Sequence, residues 1–453
     1  MASPTPLKAP GPRGHFLLGN LREFRADVLG LVMRSTANYG DIVRCRLGPQ
    51  VVHLLNHPTP IAHVLQRHAA NYDKATRSSA SIRAVTGESL LTCNGDLWKR
   101  QRRMDQPAFH HRHIAGFVKT MTDAAQTMLD GWRAHNEATA PVNLASEMAR
   151  LTYSIVGRTL FSFNTTDDAA TIERAMRVML PLLFKRLGQV APPPLWFPTR
   201  ANRDFNRALS EVDQVVYRII ASHRQAAKMD APPNDLLGLL MQAREPERGV
   251  ALSDAQLRNE TITFLLAGHE TTANALTWCF HLIAQHPEVE RQLVEEIATV
   301  LGQRTPVMED LGKLVYTRRV IQESMRLYPP IWIIERRAID ADCVEGFQIP
   351  KGSSVVISPY ALHRHPAYWE DPERFDPSRF EQHPPAAYLP FGAGPRTCIG
   401  NEFAMMEALI ITAMVMQSFH LQAEPGQRIE PQPDITLRPK HGVMMTYHPR
   451  EGR

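Results

Sequence analysis

Phe391-Gly392-Ala393-Gly394-Pro395-Arg396-Thr397-Cys398-Ile399-Gly400 is the stretch around which the rest of the chain can be read. One cysteine lies in a glycine-rich turn, with an arginine two residues before it and a helix-like run, Asn401 to Met416, directly after. A thiolate there would lie near a helix N-terminus, where unpaired backbone N–H groups and the helix dipole favour negative charge. Gly394 and Gly400 would let the backbone approach a flat ligand closely. Arg396 offers a permanent, forked cation to a carboxylate beside the sulfur. A lone cysteine in a Gly-Pro turn is ordinarily a buried structural residue. The fixed positions of Phe-x-x-Gly-x-Arg-x-Cys-x-Gly, all filled here, outweigh that reading.

The spacing resembles the haem-binding loop of the cytochrome P450 family. The resemblance implies that Cys398 is the axial iron ligand, that Phe391, Arg396 and Gly400 contact the cofactor, and that the cofactor is haem b (iron protoporphyrin IX). It also implies a mainly α fold with a small β region and a long central helix over the haem. It runs from about residue 9 to residue 448 in the family's order, with no flavin or nicotinamide motif. A single cytochrome P450 domain over 1–453 is therefore expected, with a proline-rich lead-in over 1–20 and no reductase domain.

The 453 residues are 43% hydrophobic and 21% charged, the profile of an ordinary globular protein. No apolar run approaches the roughly 18–20 residues that span a bilayer, and the N-terminus has no signal-peptide pattern. Five cysteines (Cys45, Cys93, Cys279, Cys343, Cys398) lack pairing spacings, which argues for a reducing compartment. A soluble, cytoplasmic protein without an integral membrane anchor is expected. The net charge of +5 could suit nucleic acid, a membrane surface or an acidic protein. Without a basic tail or aromatic–basic interleaving, no nucleic-acid partner is expected; an acidic protein fits best.

The second decisive stretch is Ala267-Gly268-His269-Glu270-Thr271-Thr272. Ser253 and Gln256 read as a capping box opening a helix that meets no proline before Pro287. Acidic and hydroxyl residues beside a glycine are poor choices for the middle of such a helix. Thr271 can hydrogen-bond the Ala267 carbonyl and open the helix locally. The motif resembles the family's oxygen-binding Ala-Gly-x-Glu-Thr-Thr, which implies proton delivery by Glu270 and Thr271.

Other segments add to the resemblance. Trp98 and Arg102, four apart, share a helix face and match the family's Trp-x-x-x-Arg, whose members bind haem propionates. Arg336 fits an arginine that reaches a propionate, although Arg337 is adjacent. Glu323 and Arg326 have ion-pair spacing and match a buried structural pair, with Arg374 of Glu373-Arg374-Phe375 as its expected third member. Lys99, Arg100 and Arg103 are either a solvated face or a docking surface for an acidic electron donor. Thr171 to Leu187 and Ala201 to Ala227, joined by proline-rich 191–198, form either a plain helical hairpin or a lid. A loop or short irregular helix is expected over 72–87, a polar loop over 228–250 around a short helix at Asp235 to Ala243, and a final hairpin between 435–437 and 442–445.

The family's usual contact segments place Leu91, Thr263, Leu266, Ala267, Ile331 and Thr436 at the substrate pocket. They are largely aliphatic and imply an apolar substrate such as a terpene or fatty acid. The reaction implied is insertion of one oxygen atom from O2 into a C–H bond, with electrons from a ferredoxin or flavodoxin and its reductase. Two other readings are a non-catalytic haem-thiolate sensor, which would need no Glu270-Thr271 relay, and a peroxide-driven haem enzyme needing no reductase.

Overall fold

The computed structural model describes residues 6–134, 141–162, 166–189, 191–229, 235–244 and 249–450. The expected loop over 228–250 and the start of the lead-in lie partly outside these residues. Ser253 caps the central helix Asp254–Gln285 as its sequence requires: its hydroxyl accepts the Gln256 N–H at 3.3 Å, and Gln256 Oε1 accepts the Ser253 N–H at 2.9 Å. At about 1.5 Å per residue this helix is close to 50 Å long. Its second half is buried nearly all round, and Ile262, Leu276, Trp278 and Phe280 are fully buried. Each such side chain contributes about 1.5–3 kcal/mol, so the helix is fixed by packing rather than by propensity. Pro287 ends it and occupies the first turn of the next helix, Pro287–Leu301. Gly302, at φ +60°, stops that one.

Two helices sandwich the central one. Leu144–Leu160 runs against it, close enough that a Cβ on Gly268 would lie 3.0 Å from Val156. Asn401–Ser418, which follows the cysteine loop, buries Ile410, Ile411, Val415 and Met416 completely. Thr166–Leu187 and Arg200–Lys228 pack along each other, and the loop between them exposes Trp196. Residues 77–86, expected to be irregular, form a regular helix because the Thr76 hydroxyl accepts the Ser79 N–H at 3.2 Å.

The main sheet has five strands. The hairpin Ile42–Leu47/Gln50–Leu55 turns at Gly48; Gln50–Leu55 pairs in parallel with Ser354–Ile357. Antiparallel Ile334–Ala338 follows, with Tyr72–Asp73 at the edge. A second sheet joins Val142–Asn143, Met444–Pro449 and Phe419–Ala423. The expected hairpin between 435–437 and 442–445 does not form. Leu437–Pro439 pairs instead with Pro431–Pro433. Met444–Pro449 is drawn to Phe419–Ala423, where Met445 and Tyr447 are buried with Phe419 and Leu421.

Segment 434–437 is pinned from three sides. Trp278 donates its indole N–H to the Leu437 carbonyl (3.1 Å), Trp332 donates to the Asp434 carbonyl (2.9 Å), and the Leu437 N–H reaches the Pro330 carbonyl (2.9 Å). These bonds hold Thr436 over the middle of the central helix.

Candidate active site

The cysteine loop is a tight turn leading into the helix Asn401–Ser418. The Cys398 N–H donates to the Phe391 carbonyl (3.0 Å), and the Thr397 hydroxyl to the Gly394 carbonyl (2.8 Å). Gly394 must be glycine on two counts: its φ is +73°, and a Cβ would lie 1.8 Å from the Leu65 carbonyl oxygen. Gly400 is different. Its φ is −97°, and a Cβ would meet only Phe109 at 3.7 Å, so the chain by itself does not demand glycine there.

Protein surrounds Cys398 on all sides, yet the residue is accessible. Ala267 is likewise accessible, in the middle of a helix buried on either side of it. An internal cleft produces both observations. The expected ionised sulfur is not favoured by the chain alone. Burial raises the thiol pKa, and the Gly400 N–H and the Arg102 guanidinium offset only part of the rise. A coordinating metal would reverse that balance.

Beside the sulfur lies a group of cations. Arg102 donates to the Thr397 carbonyl at 3.0 Å. Arg396 donates to the Cys93 carbonyl (2.9 Å) and Asn94 Oδ1 (3.3 Å), with its guanidinium 4.5 Å above the Trp98 ring. Its Nη1 is buried without a partner. Arg336 is buried, bonds only the Glu335 carbonyl (2.9 Å), and is pulled down to about 10 by burial and by Arg396. Strand alternation sends the neighbouring Arg337 the other way, where it pairs with Asp73 at 2.6 Å. Lys74, which sequence reasoning missed, donates to the Leu91 carbonyl (2.9 Å) and is held well below the usual lysine range by burial, Arg336 and Arg396.

Among the described residues no carboxylate bonds Lys74, Arg336 or Arg396. Buried cations without anions are costly. They are what a ligand bearing two carboxylates would relieve, and an accessible sulfur beside them fits an iron porphyrin.

In the central helix the Thr271 hydroxyl donates to the Ala267 carbonyl at 2.6 Å, as expected. His269 turns away from Glu270. Its ring stands edge-on to Tyr153 (5.8 Å, 85°), and burial lowers its pKa to about 4. Glu270 Oε1 accepts the Thr436 hydroxyl at 2.7 Å, and Thr436 Oγ1 accepts from Asn274 Nδ2 at 3.0 Å. Burial raises Glu270 to about 7, with the Thr436 bond and Arg438 opposing the rise.

The six pocket candidates divide. Ala267 is accessible, and Leu91, Leu266 and Ile331 are half-buried. Thr263 and Thr436 are buried and do not line the cleft. The Thr263 hydroxyl closes on the Asn259 carbonyl (2.7 Å) in its own helix, and Thr436 supports Glu270. Phe391 is half-buried against the main core.

Glu323 and Arg326 are fully buried, with all five guanidinium N–H groups used. Nε and Nη2 meet the Glu323 carboxylate at 2.6 and 2.8 Å; the others reach the carbonyls of His363, Pro372 and Arg374 at 2.9, 2.7 and 3.0 Å. Arg374 is not the third side chain. It points to solvent and offers only its carbonyl. Arg379, on the 3₁₀ turn Pro377–Phe380, takes that place, with Nε 3.4 Å from Glu323 Oε1. His363 carries the network to the cysteine loop: its Nδ1 meets the Arg326 carbonyl (3.2 Å), and its Nε2 accepts the Leu389 N–H (2.8 Å).

Comparison with known proteins identifies the family. Residues 9–446 match the family model for Cytochrome P450. Cyclooctatin synthase of Streptomyces melanosporofaciens is 35% identical over 89% of this chain and 88% of its own. Cyclooctat-9-en-7-ol 5-monooxygenase of the same organism is 36% identical over 87% and 85%. Pentalenene oxygenase of Streptomyces avermitilis is 33% identical over 93% and 91%.

Proposed function

The chain belongs to the cytochrome P450 family, and on that premise we propose that Cys398 holds the haem iron and that the substrate is a terpenoid. The family brings a haem-thiolate cofactor, dioxygen, an electron-donating partner and monooxygenase action on an apolar compound. When bound, the haem activates dioxygen for insertion of one oxygen atom into a substrate C–H bond. The rest of the work falls to the chain. Arg102, Arg336, Arg396 and Lys74, with Trp98 beneath Arg396, would hold the cofactor's carboxylates. The cofactor is haem b: the five cysteines include no Cys-x-x-Cys-His attachment site.

Glu270, with its pKa near neutrality, holds a proton at Oε1 or Oε2 and releases it toward the cleft by way of the Thr271 hydroxyl. Thr436 and Asn274 fix the carboxylate's position. Leu91, Leu266, Ala267 and Ile331 form an apolar wall that excludes water and accepts a hydrocarbon. Residues 1–453 act as one catalytic unit. Electrons come from a ferredoxin or flavodoxin with its own reductase, which would dock near exposed Lys99 and Arg103. No helix among the described residues is long and apolar enough to cross a membrane.

The accessible sulfur enclosed beside cations that bond no carboxylate carries the cofactor assignment. The terpenoid assignment is supported by relatives whose names are those of terpenoid oxidations. Titrating the holoprotein with cyclic terpenes and with fatty acids, while following the Soret band, tests it. Terpenes should give the low- to high-spin change and oxygenated products. A spin change and products with fatty acids alone would overturn it.

A further inference from the structure

Helix Pro58–Ala62 passes into a π-turn over His63–Arg67, closed by a 2.8 Å bond from the His68 N–H to the His63 carbonyl. In an α-helix, residues five apart point about 140° away from each other. The wider π-turn brings them close to one face. The imidazoles of His63 and His68 accordingly stack, with centroids 4.0 Å and planes 11° apart. Asp342, from the strand pair Asp342–Val344/Phe347–Ile349, lies beside them. Its Oδ2 meets His63 Nε2 at 2.8 Å and accepts the Tyr72 hydroxyl at 2.8 Å, and its Oδ1 accepts the Cys343 N–H at 2.7 Å. One potential ligand atom from each of His63, His68 and Asp342 lies within 4.8 Å of the other two.

We propose that these three side chains form a binding site for a divalent first-row transition ion of the zinc type, with water completing the shell. Two imidazole nitrogens and one carboxylate oxygen suit zinc, copper or nickel; calcium and magnesium require oxygen-rich shells. The Tyr72 hydroxyl orients the carboxylate, as hydrogen bonds behind metal ligands do. His68 is exposed and gives an ion its entry, while His63 and Asp342 are half-buried.

The site lies outside the reaction cleft but behind its wall. Between the two histidines, the Leu65 carbonyl lies against Gly394, where a Cβ would fall 1.8 Å from it. An ion tying the π-turn to Asp342 would therefore brace the outer side of the cysteine loop without touching the cofactor.

A plain ion pair between His63 and Asp342 would leave His68 merely stacked, so removing His68 separates the two readings. Chelator-treated holoprotein is titrated calorimetrically with Zn2+, and the bound ion is characterised by X-ray absorption at the zinc edge. One saturable equivalent with scattering from two imidazoles is expected. His68→Ala leaves the bonds among His63, Asp342 and Tyr72 in place, and should weaken binding at least about tenfold; Tyr72→Phe should weaken it about tenfold. No saturable binding, or binding to His68→Ala as tight as to the parent, would overturn the proposal. So would equal binding by a His63→Ala/His68→Ala double variant.

Discussion

Thr436→Val removes the hydroxyl that donates to Glu270 Oε1 at 2.7 Å while nearly preserving side-chain volume. A hydrogen bond to a charged group contributes about 1.5–3 kcal/mol. One pKa unit corresponds to about 1.4 kcal/mol. The bond stabilises the carboxylate, so its loss raises the pKa of Glu270 from about 7 by about one to two units. In the parent, the fraction of Glu270 able to donate a proton falls as pH rises through about 7. In the variant that fall moves to more alkaline pH. The assay is product formed per reduced nicotinamide consumed, measured from pH 6 to about 9.5 with a saturating apolar substrate and a reconstituted electron donor. Thr436→Ser keeps the hydroxyl and should restore the parent profile, and Asn274→Ala, one bond further away, should shift it less. A Thr436→Val profile superimposed on the parent's would refute the reasoning. A Thr436→Ser profile displaced as far as that of Thr436→Val would refute it too, because packing would then be the cause.

Three further outcomes follow from the geometry. Arg379→Ala should lower holoprotein stability by about 1–3 kcal/mol, whereas Arg374→Ala should stay within about 0.5 kcal/mol of the parent, both read from thermal unfolding. Lys74→Met and Arg336→Met each remove a cation that has no protein anion, so haem transfer to an apo-acceptor should speed up about tenfold or more. Asp105 is buried with neither oxygen bonded, and burial raises its pKa above the usual carboxylate range, while its charge in turn raises that of buried Glu260. Its folded-state pKa exceeds its unfolded value, so its contribution to stability is complete below about pH 4 and is lost as pH rises through the raised folded value. Asp105→Asn should therefore flatten the fall in melting temperature as pH rises above about 4.

The features legible in the sequence are those whose chemistry is local. The cysteine loop, the Thr271–Ala267 hydrogen bond in the central helix and the Glu323–Arg326 spacing each lie within a few residues, although the helix stays unbroken there instead of opening. The cap at Ser253 fixes a helix start from side chains three residues apart. What escaped depends on contacts across the fold. Nothing in Tyr72-Asp73-Lys74-Ala75-Thr76 marks Lys74 as enclosed beside two arginines; strand Ile334–Ala338 decides that. Arg374 and Arg379 both precede a phenylalanine, and only the 3₁₀ turn Pro377–Phe380 shows which reaches Glu323. The resemblance implies a pocket position for Thr436 because its segment lies there in the family. Its actual direction is set by the indoles of Trp278 and Trp332. The final hairpin failed because residues 444–449 found apolar partners at 419–423, more than twenty positions upstream.

The central claim is that the Cys398 sulfur is the ligand of the haem iron, and the ferrous–carbon monoxide difference spectrum tests it most directly. The parent should show the red-shifted Soret band of a thiolate-ligated carbonyl, and Cys398→Ala, reconstituted with haem, should lose it. The same band persisting in Cys398→Ala, or a parent band of the imidazole type, would contradict the claim.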